Sequence, residues 1–235
     1  MHEQILGLGI DNEVVKKELD VLLQAINMVS SDNIWTCYED RNESLCIDEV
    51  ERTFTYELYR QWKDLLVDNG SSLTINAEIS KIVKDTFRNV VNTEENANEG
   101  HKYPDFVLHR GQGNTDEEGQ IMLCEIKRKK AADYDIIHDF EKFLTFMQRS
   151  SFSYPYAYSV FIQVGVTWEE CKNKIREVFS KNTNIKNRFL QQEGHCLVQG
   201  KTFAKRTLCI SYKPSLYNEG KPTIDTLHNI LNTNL

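Results

Sequence analysis

The chain has 235 residues, of which 40% are hydrophobic and 27% charged, enough apolar material for one full core and too short for two unrelated domains of ordinary size. No segment approaches the roughly 20 consecutive apolar residues of a membrane span, and the first residues lack the basic start and apolar run of a secretory signal, so a cytoplasmic protein with no membrane partner is expected. Cys37, Cys46, Cys124, Cys171, Cys196 and Cys209 form no CxxC pair; they indicate neither a zinc ribbon nor a disulfide framework and read as free thiols of a reducing compartment.

The net charge of -7 is unevenly distributed. Residues 1–99 carry 9 Lys and Arg against 20 Asp and Glu, whereas residues 171–213 carry 10 against 2. Phosphate binding depends on local cation density rather than on the total, so the second stretch is either a polyanion-binding surface or a solvated basic face.

In chain order, Val14, Val15, Leu19, Leu22, Leu23, Ile26 and Val29 recur at helical spacing and predict an amphipathic helix over 12–29, expected to pack as an appendage or a dimer contact. A second helix over 48–66 carries Val50, Phe54, Leu58, Trp62 and Leu65 on one face and stops at Asp68, Asn69 and Gly70. Leu73, Ile75, Ala77 and Ile79 then alternate with polar neighbours, the period of a half-buried strand. After a polar loop over 92–100, short apolar runs at 105–109 and 120–127 predict two strands joined by a Gly-rich and acidic connection.

Ile136, Ile137, Phe140, Phe143, Leu144 and Met147 trace one face of a following helix, with Asp139 and Lys142 on its polar side. The run at 158–166 is long and apolar enough for a buried strand, and it contains Gln163, which needs partners if buried. A helix over 168–180, a strand over 206–212 and a last helix over 222–231 complete the series.

The chemistry concentrates at Pro104-Asp105 and at Glu125-Ile126-Lys127, which opens 20 residues after Asp105. Residues i and i+2 of a strand share a face, so Glu125 and Lys127 point together while Ile126 turns to the core. A paired neighbouring strand brings Asp105 to them. Two adjacent carboxylates repel unless a cation lies between them, and hard oxygen donors of this kind suit Mg²⁺. A lysine beside such a cation can orient water, accept its proton if its pKa is lowered, or offset charge on the reacting phosphate, and spacing does not choose among these roles.

These residues, YPDFVLH and CEIKRKK, resemble the PD-(D/E)XK nuclease superfamily, over about residues 48–166. The resemblance implies an α/β, restriction-endonuclease-like αβββαβ core with a central mixed sheet flanked by helices. Residues 1–47 would then be an N-terminal helical extension, 48–170 the core, and 171–235 a basic extension packed on the same domain.

The resemblance also implies a Mg²⁺- or Mn²⁺-dependent endonuclease or exonuclease cleaving DNA. Asp105, Glu125 and the carbonyl of Ile126 would be the ligands, Lys127 the activating residue, and a glutamate of the core's first helix, that over 48–66, a further ligand. Glu57 borders that helix's apolar face and is preferred for the last role, with Glu51 second and Glu78, on the strand after it, third. Arg128, Lys129 and Lys130 extend the strand into a basic end suited to phosphates. Duplex cutting by such folds often uses two copies, so a homodimer is a further expectation.

His101, His109 and His138 lie near the motif but read first as structural histidines. Tyr154, Tyr156 and Tyr158 read as packing before base stacking. The competing function is a non-catalytic nucleic-acid or protein-binding module that retains the same fold.

Overall fold

The structure is a computed structural model that describes residues 5, 7–10, 12–39, 45–49, 51–77, 104–110, 120–147, 156–192, 195–198, 201–204, 206–214 and 220–232. Helix α1 (Glu13–Met28) starts where the Asn12 side chain accepts the backbone N–H groups of Val14 and Val15, an N-cap that satisfies donors the first turn leaves open. Its stripe of Val15, Leu19, Leu22, Leu23 and Ile26 is buried in the same core as Phe54, Leu58 and Trp62 of α2 (Glu51–Asp68). The N-terminal helix is therefore built into the main core rather than appended to it.

Strands β1 (Trp35–Glu39) and β2 (Leu45–Glu49) pair antiparallel just before α2. The extension expected to be helical contains this hairpin, and α2 begins three residues later than the apolar spacing implies. Helical periodicity could not locate that start, because Asp48 and Glu49 are claimed by pairing with Thr36 and Trp35 of the preceding strand.

A six-stranded mixed sheet forms the centre, in the order β10-β9-β6-β5-β4-β3. Strands β3 (Leu73–Ala77), β4 (Phe106–Arg110) and β5 (Gln120–Arg128) are antiparallel neighbours. Helix α3 (Asp133–Met147) then carries the chain to β6 (Tyr158–Val164), parallel to β5, as a parallel pair requires a crossover. Helices α4 (Trp168–Lys181) and α5 (Thr183–Gln192) and the hairpin β7 (His195–Val198) with β8 (Lys201–Ala204) lead to β9 (Arg206–Tyr212), parallel to β6. Gly165, at positive φ (78°), turns the chain out of β6 while its N–H donates to Tyr212 O.

The tail departs from the single helix expected over 222–231. Residues Thr223–Thr226 form β10, antiparallel to β9, and only then does the short helix α6 (Leu227–Asn232) begin, capped by Thr226 Oγ1 accepting the Asn229 N–H. Strand β9 needed a partner on its open side, and the β-branched Thr223, Ile224 and Thr226 suit one. Helix α5 and the β7–β8 hairpin were not anticipated.

Each face of the sheet is covered by its own cluster. Phe106, Leu108, Met122, Cys124, Ile126, Val160, Ile162 and Val164 meet α1 and α2. Val107, Leu123, Phe161 and Cys209 meet α3, α4, α5 and α6. Because both faces are buried, β6 reads as a continuous apolar run rather than an alternating one.

Phe140 of α3 lies at the centre of the second cluster, its ring centroid 5.0 Å from that of Phe161, 4.9 Å from Phe179 and 5.6 Å from Phe189. Phe140→Ala is expected to cost about 3–5 kcal/mol by urea denaturation, because three neighbouring rings lose their contact surface at once. Tyr134→Ala, at an exposed position of the same helix, should stay within about 0.5 kcal/mol.

Candidate functional site: a buried charge cluster on strand β5

The alternation of β5 sends Met122, Cys124 and Ile126 to one core and Leu123, Glu125 and Lys127 toward α3. Antiparallel register pairs Phe106 with Cys124, which sets Asp105 beside the same end of β5. The Ile126 N–H donates to Asp105 Oδ2 at 2.7 Å. Asp105, Glu125 and Lys127 are thus brought together, and Glu125 is only 1% exposed.

Asp139 and Lys142 complete the cluster from α3. Lys127 Nζ lies 2.8 Å from Asp139 Oδ2, and Lys142 Nζ lies 2.8 Å from Asp139 Oδ1 and 2.5 Å from Glu125 Oε1. Both α3 residues are buried, although their charge put them on the polar side of the helix in the sequence. Asp139 stands at helical spacing between Ile136 and Phe143, within the apolar stripe, and that position was the available signal. Burial is tolerable because each charge meets its opposite; an isolated one would cost several kcal/mol.

The glutamate that α2 brings to this cluster is Glu51 rather than Glu57. Glu51 Oε2 accepts the Arg128 N–H at 3.1 Å, and its carboxyl is coupled electrostatically to Lys127, Asp105 and Asp139. Glu57 instead accepts from Arg60, at 3.0 and 2.6 Å, and from Gln61 at 2.7 Å. The preference for Glu57 assumed that the apolar face of α2 borders the site. The start of α2 lies against the end of β5, so a first-turn residue reaches it.

Among the described residues, four carboxyl groups (Glu51, Asp105, Glu125, Asp139) face two ammonium groups (Lys127, Lys142). Burial, reinforced by Asp139 and Asp105, raises the Glu125 pKa well above the usual carboxylate range, and Lys142 pulls it back only in part. Asp105 is raised by burial against the opposing pull of Lys127 and the Ile126 N–H, and Glu51 is raised chiefly by burial. For Lys127, burial works against the charge, but Asp139, Glu125 and Asp105 outweigh it and lift the pKa above its ordinary value.

Among the described residues neither oxygen of the buried Glu125 has a well-formed hydrogen bond: Oε1 has its ion pair with Lys142, and Oε2 has no hydrogen-bond partner. The same holds for Oε1 of the buried Gln163, which sits in register with Lys127 on the adjacent strand. No group of three or more His, Cys, Asp or Glu among the described residues is arranged to hold a metal ion.

Arg128, Lys129 and Lys130 follow on the exposed end of β5 and its turn, with Lys129 Nζ 2.8 Å from Glu170 Oε1. His109 is held by Asn76 and the Arg110 carbonyl, both at 2.8 Å, and His138 stacks on Tyr134. Tyr156 and Tyr158 are buried in opposite clusters, so both pack. Glu78, His101 and Tyr154 lie outside the described residues.

No helix among the described residues is long and apolar enough to cross a membrane. No protein-family model matches the chain, and neither a curated protein nor a solved structure matches it.

A carboxyl whose pKa is raised on folding adds stability that is complete below its unfolded value and is lost as pH rises through its folded value. Relative to wild type, Glu125→Gln should therefore gain stability progressively as pH increases above 4.5. Paired urea titrations across that range check this, and a difference that shrinks with pH contradicts it.

Proposed function

We propose that the chain is a metal-dependent nuclease with a restriction-endonuclease-like core that hydrolyses DNA phosphodiester bonds. The observation that carries this reading is the convergence of Asp105, Glu125 and Lys127 at one buried end of β5, where Glu125 Oε2 has no hydrogen-bond partner among the described residues. The element order from α2 through β6, helix, three antiparallel strands, helix, strand, agrees with it.

The donor chemistry fits Mg²⁺ or Mn²⁺. All the candidate donors among the described residues are hard oxygens. Two carboxylates and a main-chain carbonyl, with the remaining positions left to water and substrate phosphate, form the small protein donor set that Mg²⁺ accepts. Asp105, Glu125 and the Ile126 carbonyl would hold the ion, with Glu51 at the rim. When bound, the ion supplies Lewis-acid polarisation and lowers the pKa of the attacking water.

The chain's own residues account for the rest. Without the cation, Asp139, Glu125 and Asp105 favour the ammonium form of Lys127, which is placed to orient the water or offset charge on the reacting phosphate. Asp139 holds that ammonium in place. Arg128, Lys129 and Lys130, exposed just beyond the site, are placed to meet backbone phosphates.

A second reading has one observation in its favour. Lys142 already neutralises part of the carboxylate charge, as it would in a non-catalytic binding module that keeps the fold.

Incubation with duplex and single-stranded DNA and Mg²⁺ or Mn²⁺ tests the choice. Cleavage should fall on the order of 10²-fold or more in Lys127→Ala. Glu51→Ala should weaken cleavage, and Glu57→Ala should leave it near wild type. Failure of the folded wild-type chain to cut either substrate favours the binding module.

A further inference from the structure

We propose that Lys142 is an intramolecular stand-in for the divalent cation: its ammonium holds Glu125 in the cation-free chain and withdraws onto Asp139 when the cation binds. This rests on the reading of Asp105 and Glu125 as cation ligands and adds a residue that governs how readily that site fills.

The geometry is specific. Lys142 Nζ is bound to Glu125 Oε1 at 2.5 Å and to Asp139 Oδ1 at 2.8 Å, with only 10% of its side chain exposed. An ammonium and a divalent cation cannot share one carboxylate at contact distance without strong repulsion in a site this buried. Entry of the cation therefore breaks the Lys142–Glu125 pair.

Breaking that pair would ordinarily strand a buried charge at a cost of several kcal/mol. Asp139 removes the penalty. It lies three residues before Lys142 on α3 and already accepts its ammonium, so the lysine keeps a partner throughout. The flexible four-carbon stem of lysine, with three rotatable donors, permits such a shift without movement of the helix. Glu125 Oε2, without a hydrogen-bond partner among the described residues, offers the cation a first foothold before Oε1 is released from Lys142.

The two lysines are coupled through the same carboxylate. Asp139 Oδ2 holds Lys127 while Oδ1 holds Lys142, so a closer Lys142–Asp139 pair weakens the claim of Asp139 on Lys127. Arrival of the cation thereby loosens Lys127 for the reacting phosphate. Asp139 is a positioning residue in this scheme and Lys142 a competitor for the ion.

Calorimetric titration of the full chain with Mn²⁺ alone, without nucleic acid, tests the proposal independently of cleavage. Lys142→Met keeps the length of the side chain and removes its charge; it should bind Mn²⁺ at least about tenfold more tightly than wild type, and Glu125→Gln added to it should abolish the gain. Unchanged or weaker binding by a folded Lys142→Met, with wild type binding normally, overturns the stand-in role while leaving the metal site intact. Absence of Mn²⁺ binding in both proteins overturns the stand-in and the metal-site reading together.

Should Lys142→Met not fold, Lys142→Gln, which removes the charge and keeps a polar end, is titrated in its place; a gain of at least about tenfold in Mn²⁺ affinity is again expected, and no gain overturns the proposal.

Discussion

The Asp139 carboxylate, shared between the ammonium groups of Lys127 and Lys142, is the contact that joins the central sheet to the helix above it at the polar end of β5. Without it, Lys127 would lose its ion-pair partner under an aromatic helix, and Lys142 would be left with Glu125. The α3 face that presents Asp139 also presents Phe140 and Phe143, so one helix supplies both an apolar lid and the charges that make the lid compatible with Glu125. Packing and electrostatics thus set the position of α3 jointly.

Sheet topology explains why the cluster lies where it does. Strand β5 is antiparallel to β4 on one side and parallel to β6 on the other, so the start of β4 and the end of β5 coincide. Asp105 enters from one neighbour and Gln163 lies in register on the other. The start of α2 arrives at the same end, bringing Glu51. In open α/β sheets, ligands bind beyond the carboxyl ends of the parallel strands, and the cluster occupies that end of β5.

Buried ion pairs are weak evidence for stability, since apolar residues of similar volume often serve as well or better. A cluster with more carboxylates than ammonium groups, and with an oxygen of Glu125 left unpartnered, is costlier still. Such a concentration of perturbed groups beside a basic, exposed strand end is where function is sought first. The aromatic shell around Phe140 lowers the local dielectric, which strengthens every interaction that Glu125, Lys127 and Asp139 make.

The amino-acid sequence by itself determined the elements with strong periodicity, because α1, α3, α4, β5, β6 and β9 each bury a face whose spacing is written into neighbouring residues. It also determined that Glu125 and Lys127 share a face, since strand alternation is a local property, and that Asp105 meets them across a hairpin. Tertiary structure alone decided the rest. Strands β1, β2 and β10 form by pairing with the next strand along the chain, β1 with β2 and β10 with β9, and the spacing of apolar residues does not record that pairing. Glu51 rather than Glu57 reaches the site because the direction of the α2 axis, not its apolar face, sets which end lies against β5. Asp139 and Lys142 joined the cluster for the same reason: a charged pair on a helix is solvated or buried according to what the sheet beneath it offers, and here it offered Glu125 and Lys127.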